Sequence, residues 1–497
     1  MRIRGRLLVA GISLAGLVAL ERATAPPDIP SFADVKAHYR PSEATLLDRH
    51  GTVIQTVRED FTARRLEWTP LADIAHTVPD AIVASEDHRF REHGGVDWRA
   101  VAGALRDRVL GVGRRGASTL EMQLVAHLDT SLRATGARRT WRQKLRQMRA
   151  ASRLDDAWTK DEVLEAYLNH VGLRGEHQGI AAASHTLFNK PPSGIEVDEA
   201  WTLAALLPSP GANPVVVGKR ACRLAKRSGK ACDGLRKVVL EALSSPREIA
   251  VDRGLAPHLA RRLLRTPGER VTSTLDPAVQ ALALRALQSQ LRSLDAQEVR
   301  DGAAVVVANA TGDVLAYVGS AGRASKAAQV DGVRALRQAG STLKPFLYAL
   351  AIERQLITAA SLLDDAPVAL EAGPGLYLPQ NYERDYKGLV SARTALAGSL
   401  NIPAVRTLIL AGIEPFRERL HQLGFVEGLT ESGDHYGFSL ALGSAEVNLL
   451  EQANAYRTLA NGGAWSPLRL SIPDFVRDAP AAPSRQVIRP EAAWIVA

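Results

Sequence analysis

Two short stretches of the chain carry residue types that could do chemistry, and each would do a different kind. The stretch Glu86–His93 sets two adjacent carboxylates close to histidines. Such a carboxylate can take a proton from an attacking hydroxyl, which a glycosyl transfer requires. Ser341 precedes Lys344 by one helical turn, so both side chains would share one helix face. An amine there makes the serine a better nucleophile. The chain is therefore predicted to join two enzymes.

The first stretch belongs to a longer series of motifs. The series consists of Glu86-Asp87-x-x-Phe90-x-x-His93-x-Gly95-x-Asp97, Gly116-Ala117-Ser118-Thr119-Leu120-x-x-Gln123-Leu124, Lys160-Asp161-Glu162-Val163-Leu164-Glu165-Ala166-Tyr167-Leu168-Asn169 and Gln178-Gly179-Ile180. In this order the motifs resemble those of the peptidoglycan glycosyltransferase family. The resemblance implies a lysozyme-like, mostly α-helical domain that polymerises lipid II into glycan strands, with inversion at the donor's anomeric carbon.

The same resemblance implies roles for individual residues. Glu86 would be the general base on the 4-hydroxyl of the acceptor, lipid II, and Lys144 would neutralise the leaving pyrophosphate. Ser118, Thr119 and Gln123 would lie along the sugar and phosphate groups of the donor. The other residues expected to bind substrate or the nascent glycan strand are Asp87, Phe90, His93, Gln147, Glu165 and Asn169. A divalent cation, Mg²⁺ or Mn²⁺, is implied by the family and by charge, but no metal-ligand spacing assigns its ligands.

One stretch departs from the family pattern. Where the family has Arg-Lys-x-x-Glu, this chain has Gln143-Lys144-Leu145-Arg146-Gln147, so glutamine replaces both the arginine and the glutamate of that pattern. Glutamine carries no charge, so turnover is expected to depend more heavily on Glu86 and Lys144. The stretch fits the 1C subgroup of class A penicillin-binding proteins, which favours subgroup variation over loss of activity. A lysozyme-type hydrolase, which also needs carboxylates beside a glycosidic bond, is the competing enzyme class.

The second stretch also extends into further motifs. Gly340-Ser341-Thr342-Leu343-Lys344-Pro345-Phe346 is followed by Ser399-Leu400-Asn401, 58 residues after the serine, and both resemble motifs of the penicillin-binding transpeptidases. The resemblance implies that Ser341 attacks the D-Ala-D-Ala carbonyl of a stem peptide while Lys344 accepts its proton. Ser399 would relay a proton to the leaving group, and Asn401 would hold the amide. An amine of a neighbouring stem peptide would then form the cross-link, and β-lactams would inhibit it.

The third motif of these transpeptidases, Lys-Thr/Ser-Gly, is missing, because no lysine follows Asn401. The chain also ends in the apolar stretch Glu491–Ala497, which carries no helix stop signal. These two features predict a truncated sequence with an unpaired apolar sheet edge; a full-length protein with an inactive domain is the alternative. No stable penicillin adduct is therefore expected from residues 1–497. A non-catalytic penicillin-recognising scaffold or stem-peptide binding protein is the second functional hypothesis.

Helices and strands must position these motifs. Apolar residues at helical spacing and a helix-start signal at Asp276-Pro277 predict helices over Ala100–Leu110, Thr140–Leu154, Lys160–Val171 and onward from Pro277. β-Branched runs around turn residues predict hairpins over Thr45–Val57 and from Ala303–Val307 to Val314–Val318.

The predicted fold class is multidomain. Residues 1–25 are predicted as a cytoplasmic tail and membrane anchor, and 26–70 as a linker and hairpin. Residues 71–214 are predicted as the glycosyltransferase domain, 215–300 as a helical connector, and 301–497 as an α+β or mixed transpeptidase domain that lacks its C-terminal part.

The N-terminus carries an export signal. Arg2, Arg4 and Arg6 precede an apolar run over Leu7–Leu20. A positive flank of this kind stays in the cytoplasm while the chain after it is exported. The run is shorter than the roughly 20 residues of a bilayer span, so a single-pass anchor and a removed signal peptide both remain open. The family resemblance places the bulk of the chain outside the bacterial cytoplasmic (inner) membrane.

Composition narrows the range of partners. The chain has 497 residues, too many for one core, and a formal net charge of +9. That charge fits an anionic partner such as pyrophosphate or an anionic lipid surface, or a merely solvated basic surface. No nucleic-acid-binding motif is present, so nucleic acid is not an expected partner. The two cysteines, Cys222 and Cys232, form either a local disulfide or two free thiols.

Overall fold

The computed structural model describes residues 24–111, 116–132, 140–244, 254–372, 375–473 and 483–497. They form two compact units. The first unit runs up to residue 44 and includes 58–251 and 266–268, and the second includes 45–57, 252–265 and 269–497. The predicted anchor at 1–25 lies outside the described residues except for its last two. Across the described ranges, no helix has the length and apolar character needed to cross a bilayer.

The first unit is mostly helical. Its helices are α1 (Phe32–His38), α2 (Thr77–Glu86), α3 (Trp98–Leu110), α4 (Leu120–Leu128), α5 (Trp141–Ala157), α6 (Lys160–His170), α7 (Ile180–Phe188), α8 (Val197–Leu206), α9 (Pro214–Arg227) and α10 (Leu235–Ser244). The predicted helices over 100–110, 140–154 and 160–171 are thus confirmed as α3, α5 and α6. Apolar residues of each helix of this unit named above except α3 form one core, which also includes Phe90.

Local signals explain where two of these helices begin. Thr140 and Thr159 each accept a hydrogen bond from the backbone three residues on, and Gln143 and Glu162 return a contact to the cap. These two capping boxes satisfy amide groups that would otherwise lack partners at the helix start. Both are readable from the sequence as Thr-x-x-Gln and Thr-x-x-Glu.

A glycine brings the end of the first motif against α5. Gly95 has a φ of 75°, and a Cβ at this position would lie 2.3 Å from the carbonyl oxygen of Ala151. A side chain there would both strain the backbone and clash with the helix. Gly95 therefore allows the close approach that places the Glu86–His93 stretch next to α5.

The second unit mixes short strands with helices. Its helices are α11 (Pro257–Leu263), α12 (Pro277–Ser293), α13 (Lys344–Glu353), α14 (Ala392–Ala397), α15 (Asn401–Ala411), α16 (Ile413–Gln422), α17 (Gly433–Tyr436), α18 (Leu449–Ala460) and α19 (Pro490–Val496). The helix start at Asp276 is confirmed, because its carboxylate accepts from the amides of Ala278 and Val279.

The strands of the chain are short. They are β1 (Glu43–Leu47), β2 (Val53–Arg58), β3 (Gly172–Arg174), β4 (His177–Gln178), β5 (Arg270–Thr272), β6 (Ala304–Val307), β7 (Val314–Val318), β8 (Arg337–Gln338), β9 (Leu362–Asp365), β10 (Leu370–Ala372), β11 (Gly375–Tyr377), β12 (Gly388–Ser391), β13 (Glu446–Val447), β14 (Ala464–Trp465) and β15 (Arg485–Gln486). Strands β3 and β4 lie in the first unit and pair with each other.

Strand pairing confirms both predicted hairpins. Strands β1 and β2 are neighbours in a three-stranded sheet of order β2-β1-β5, in which β1 and β5 run parallel. Asp48 closes the turn between β1 and β2 by accepting from the amides of His50 and Thr52. Strands β6 and β7 pair antiparallel with one irregularity, and among the described residues they form a two-stranded sheet.

Helix α13 forms the centre of the second unit. Its residues Phe346–Ala351 are all buried, and it packs against α15 and α19. A helix that is apolar on nearly every side belongs inside a core. The residues of this helix, including Lys344 at its start, therefore hold fixed positions.

The residues predicted as a helical connector, 215–300, are shared between the two units. Helices α9 and α10 contribute Val217, Ala221 and Val239 to the core of the first unit. Helices α11 and α12 belong to the second unit. Cys222 and Cys232 are joined by a disulfide with a Cα–Cα distance of 5.2 Å, so the disulfide alternative is the one that the structure contains.

Candidate active sites

Glu86 is the last residue of α2, and two neighbours orient its carboxylate. Gln123 Nε2 donates to Glu86 Oε2 at 3.1 Å, and Ser85 Oγ donates to Oε1 at 3.3 Å. The amide of Gln123 is itself fixed, because its Oε1 accepts from the Tyr167 hydroxyl at 3.0 Å. Tyr167 is completely buried on α6. Hydrogen bonds thus link the first three motifs of the series, from Tyr167 through Gln123 to the half-buried carboxylate of Glu86.

Tyr167 was not among the predicted site residues, although it lies inside a recognised motif. Burial raises its pKa, and the negative charge of Glu86 raises it further. The hydroxyl therefore remains protonated and serves as a donor. No periodicity pointed to it, because an aromatic residue on an apolar helix face reads as ordinary core.

Asp87 and His93 connect the end of α2 to the start of α4. Asp87 is buried and accepts from the Leu120 amide at 3.1 Å and from His93 Nε2 at 3.0 Å. Burial lowers the pKa of His93, but the hydrogen bond and charge of Asp87 outweigh it, so the pKa is raised overall. Phe90 is fully buried in the core. In this structure Asp87 and Phe90 are buried and His93 is half-buried, and the predicted contacts of all three with substrate stay a prediction.

A buried group of Asp87, His93 and Glu121 has a spacing that could hold a metal ion, with ligand atoms within 4.8 Å of one another. A cationic side chain already lies there. Lys160 Nζ is 2.5 Å from Glu121 Oε1 and 2.6 Å from Asp155 Oδ1. The group therefore does not fit a divalent cation, because the ammonium supplies the positive charge that the carboxylates need.

Ser118 and Lys144 are brought together from different motifs. Lys144 Nζ donates to Ser118 Oγ at 2.8 Å, and both side chains are partly exposed. Thr119, the next residue, is buried and caps α4 by accepting from the Met122 amide. An ammonium and a hydroxyl in contact form a suitable cradle for phosphate oxygens. Thr119 instead positions the helix that carries Gln123.

Gln147, Glu165 and Asn169 are turned toward the protein. Gln147 is completely buried, and its Nε2 donates to the Met122 carbonyl. Glu165 accepts from Trp68 Nε1 and the Leu71 amide, and Asn169 is buried against the backbone of Thr69. Burial raises the pKa of Glu165, but these hydrogen bonds outweigh it and lower the pKa overall. All three side chains thus bond within the protein in this structure, and their predicted contacts with substrate stay a prediction.

A cavity of about 470 Å³ adjoins Gln123. Its walls include His127 from α4, His170 from α6 and Gln178 from β4. Polar side chains on an open cavity of this size suit a sugar ligand, which presents many hydroxyl groups. The oriented carboxylate of Glu86 lies one hydrogen bond away from a residue that lines this space.

The serine cluster occupies the start of α13. Ser341 lies in a short 3₁₀ turn, Gly340–Leu343, which runs directly into the α-helix at Lys344. The predicted spacing is retained, since residues three apart also share a face in a 3₁₀ turn. Ser341 is exposed, whereas Lys344 is buried.

The ammonium of Lys344 is held by the Ser399-Leu400-Asn401 motif. Its Nζ donates to the Ser399 carbonyl at 2.6 Å, to Asn401 Oδ1 at 2.7 Å and to Ser399 Oγ at 3.2 Å. Burial lowers the pKa of Lys344 to about 8. A lysine with such a pKa is partly neutral near neutral pH and can accept a proton. The three predicted residues therefore meet as one site.

Two residues outside the prediction hold this site together. Asn381 Oδ1 accepts from the Asn401 amide at 2.8 Å, and Asn381 Nδ2 donates to the fully buried Asp365 at 2.8 and 3.0 Å. Ser399 has a φ of 53°, a left-handed conformation that a non-glycine residue adopts only when its surroundings demand it. Neither Asn381 nor Asp365 lies in the motifs Gly340–Phe346 or Ser399–Asn401, so those motifs did not point to them.

A pair of glycines supports the serine turn. Gly443 has a φ of 73°, and a Cβ there would lie 2.0 Å from the carbonyl oxygen of Gly340. The Gly340 amide also donates to the Gly443 carbonyl at 3.0 Å. Gly443 thus packs directly against Gly340, the residue that precedes Ser341.

Comparisons with known proteins agree with this division into two sites. The transglycosylase family model matches residues 50–232, and the penicillin-binding protein transpeptidase domain model matches residues 302–497. The chain is 33% identical to penicillin-binding protein 1C of Escherichia coli (strain K12) over 86% of its own length and 54% of the relative. It is 31% identical to penicillin-binding protein 2D of Bacillus subtilis (strain 168), over 80% of the chain and 59% of the relative.

A solved structure shares the fold. The crystal structure of penicillin-binding protein 1A from Haemophilus influenzae has a TM-score of 0.58, with 19% identity over 92% of this chain and 79% of that one. The chain spans between about half and 70% of the length of the curated relatives that it matches.

Proposed function

Because this chain belongs to the class A penicillin-binding proteins, which join a transglycosylase domain to a transpeptidase domain, we propose that its first unit polymerises lipid II into glycan strands. One observation carries this proposal. The Glu86 carboxylate is half-buried rather than sealed, and it is held by Gln123, which itself lines a cavity of about 470 Å³.

The residues divide the transfer into three tasks. Glu86 takes the proton from the acceptor's 4-hydroxyl, and the freed oxygen attacks the donor's anomeric carbon. The bond between that carbon and the pyrophosphate breaks on the opposite face, and its electron pair leaves with the pyrophosphate. Lys144 and Ser118 offer an ammonium and a hydroxyl to the phosphate oxygens. The cavity beside Gln123 receives the acceptor sugar.

A magnesium or manganese ion stays a proposal without assigned protein ligands, and no step above depends on it. Magnesium usually takes one or two carboxylates and completes its shell with substrate phosphates and water. Polymerisation by the same preparation with Mg²⁺, with Mn²⁺ and with chelator tests this proposal directly.

The decisive experiment compares carboxylate variants in a lipid II polymerisation assay in detergent with a divalent cation. Glu86→Gln keeps the shape of the side chain and removes the base, and Glu92→Gln removes an exposed carboxylate nearby. Glycan strands are expected from the parent and Glu92→Gln, and none from Glu86→Gln. Strands from Glu86→Gln would overturn the assignment. No strands from any folded variant would favour a binding role.

For the second unit we propose serine-type D,D-transpeptidase chemistry on stem peptides. Ser341 Oγ attacks the D-Ala-D-Ala carbonyl, and its proton passes to Lys344 Nζ. Ser399 Oγ, 3.2 Å from Lys344 Nζ, returns a proton to the departing D-Ala amine. The amine of a neighbouring stem peptide then displaces Ser341 and forms the cross-link. β-Lactams would acylate the same oxygen.

One observation favours a second candidate for this unit. No Lys-Thr/Ser-Gly motif occurs between Asn401 and Ala497, so a non-catalytic scaffold that recognises penicillin or stem peptides is the alternative. Fluorescent penicillin separates the two. Residues 1–497 are expected to take no stable label. A label that appears when a Lys-Thr/Ser-Gly motif is supplied, and that is lost in Ser341→Ala, supports the enzyme, whereas no label in either chain supports the binding role.

We also propose that the chain acts at the outer face of the bacterial cytoplasmic membrane. Its N-terminal basic and apolar residues would anchor it there, because lipid II is itself held in the bilayer by its polyprenyl tail. Membrane fractionation of the full chain, with and without residues 1–25, tests this location.

A further inference from the structure

The second unit contains a cavity of about 580 Å³ that none of the Ser341 site residues lines. Its walls include His258, Arg261, Arg262, Arg265, Asp331 and Arg334. The wall therefore carries four arginines and one aspartate. A concentration of guanidinium groups on one concave surface is unusual for a site that stays empty, because like charges repel one another.

The arginines stand on a fixed support. The Ala256 amide, just before α11, donates to Gln55 Oε1 at 3.2 Å, and Gln280 Nε2 donates to the Leu255 carbonyl at 2.7 Å. Leu259 on α11 is completely buried. The helix cannot swing away, so its arginine-bearing end keeps its position at the cavity.

A buried histidine in the same wall lacks a hydrogen-bond partner. His258 is 6% exposed, and its Nε2 has no partner among the described residues. Its ring packs against Gly319, where a Cβ would lie 2.6 Å from Cγ and 2.7 Å from Nδ1. The side of the ring that carries Nδ1 is thus filled by protein. A buried polar atom without a partner usually marks the place of a ligand or of an ordered water.

The charges in the wall do not balance. Asp331 accepts from the Tyr317 hydroxyl at 2.6 Å and from the Val333 amide at 3.1 Å, so its oxygens face the protein. Arg334 pairs with Glu427 at 2.7 Å. No ion pair is formed by Arg261, Arg262 or Arg265 within the described part of the chain. The carboxylates of Asp331 and of Glu427, the partner of Arg334, balance two of the four guanidinium charges. Two positive charges are left uncompensated.

From these contacts we infer that the cavity binds a phosphate or pyrophosphate group. A guanidinium presents a fork of N–H donors that matches phosphate oxygens, and several forks can share one phosphate. A phosphate also offers two negative charges, which equals the uncompensated charge, whereas a single carboxylate offers one. His258 Nε2 would supply one further hydrogen bond. The site stands independently of both proposed activities.

Equilibrium dialysis of the full chain with radiolabelled inorganic pyrophosphate, and then with phosphate, tests the inference. Lys144→Ala serves as the background in every arm, so that the first unit does not contribute binding. Arg262→Gln removes one fork, and Arg285→Gln removes an exposed arginine on α12 as the matched control. We expect saturable binding that Arg262→Gln weakens at least tenfold and Arg285→Gln leaves unchanged. His258→Gln, which keeps an N–H donor, should bind better than His258→Leu.

Three results would overturn the inference. They are the absence of saturable binding, equal loss in Arg262→Gln and Arg285→Gln, and tighter binding of an acidic peptide than of pyrophosphate. Thermal unfolding of each variant shows that it is folded. Vesicles of phosphatidylglycerol distinguish the source of the phosphate. Arg262-dependent vesicle binding that pyrophosphate displaces supports a lipid headgroup, and binding of free pyrophosphate without vesicle binding supports a soluble phosphate.

Discussion

Gln123 donates a hydrogen bond to the Glu86 carboxylate and accepts one from the Tyr167 hydroxyl. The tyrosine can only donate here, because burial and the charge of Glu86 keep it protonated. It therefore fixes which end of the amide faces the glutamate. A buried core residue thus determines the orientation of the Glu86 carboxylate, the proposed general base, through one intervening side chain.

Removing the amide should slow glycan polymerisation while leaving substrate binding largely intact. Gln123→Leu keeps the size of the side chain but frees one oxygen of Glu86. A Glu86 carboxylate that is out of place takes the proton of the acceptor hydroxyl less often. We therefore expect kcat to fall about 10- to 100-fold, with little change in KM. Initial rates on lipid II measure both constants.

Tyr167→Phe is the companion variant. It leaves Gln123 in place and removes the contact that fixes its orientation, so a smaller loss, about threefold to tenfold, is expected. If Tyr167→Phe lost more activity than Gln123→Leu, the tyrosine would act on the site by another route.

The buried ion pair of the first unit should matter for stability. Lys160 contacts Glu121, which is completely buried, and burial raises the pKa of that carboxyl. Lys160→Met leaves the carboxylate without its cation and should cost about 3–5 kcal/mol of unfolding free energy at pH 8. The cost should shrink toward pH 5, because a carboxyl whose folded pKa is raised loses stability as pH rises through that pKa.

Urea unfolding of the full chain at the two pH values measures this effect. Lys237→Met is the matched control, since its pair with Glu241 is exposed and 3.8 Å long; less than about 1 kcal/mol is expected. The double variant Lys160→Met/Glu121→Leu should recover most of the loss. A full loss in the double variant would mean that packing, and not charge, explains the effect.

Local patterns in the sequence were sufficient to predict elements, whereas the partners across the fold came from the structure. Apolar residues at helical spacing predicted the helix over 140–154, and Asp276-Pro277 predicted a helix start at Pro277, because caps act within one turn. The pairing of β1 with β5 is not visible in this way, since its two strands lie far apart in sequence. The family motifs included Gln123 and Asn401, which the structure places against Glu86 and Lys344, but they did not reveal that Gln147 and Asn169 face inward.

Lys344 should titrate far below an ordinary lysine. Burial lowers its pKa from 10.5 to about 8. With ¹³C-labelled lysine, one Cε signal should titrate with a midpoint near pH 8, and Lys344→Met should remove that signal. The same shift makes the second unit more stable as pH rises. Below pH 8 the cost of burying the charge is fully present, and it disappears between pH 8 and 10.5. A Lys344 midpoint above pH 10 would contradict the predicted proton acceptor.

Gly443 should be required because it lacks a Cβ and can therefore lie against Gly340, next to Ser341, and not only because its φ is positive. Gly443→Ala introduces a Cβ that would overlap the Gly340 carbonyl, whereas Gly462→Ala introduces one at a φ of 61° with nothing within 4 Å. The control isolates the backbone cost of about 1–2 kcal/mol. Gly443→Ala should cost about 3 kcal/mol or more, because the serine turn must move. Thermal unfolding measures the difference, and equal losses in the two variants would show that the close approach of Gly443 to Gly340 contributes nothing.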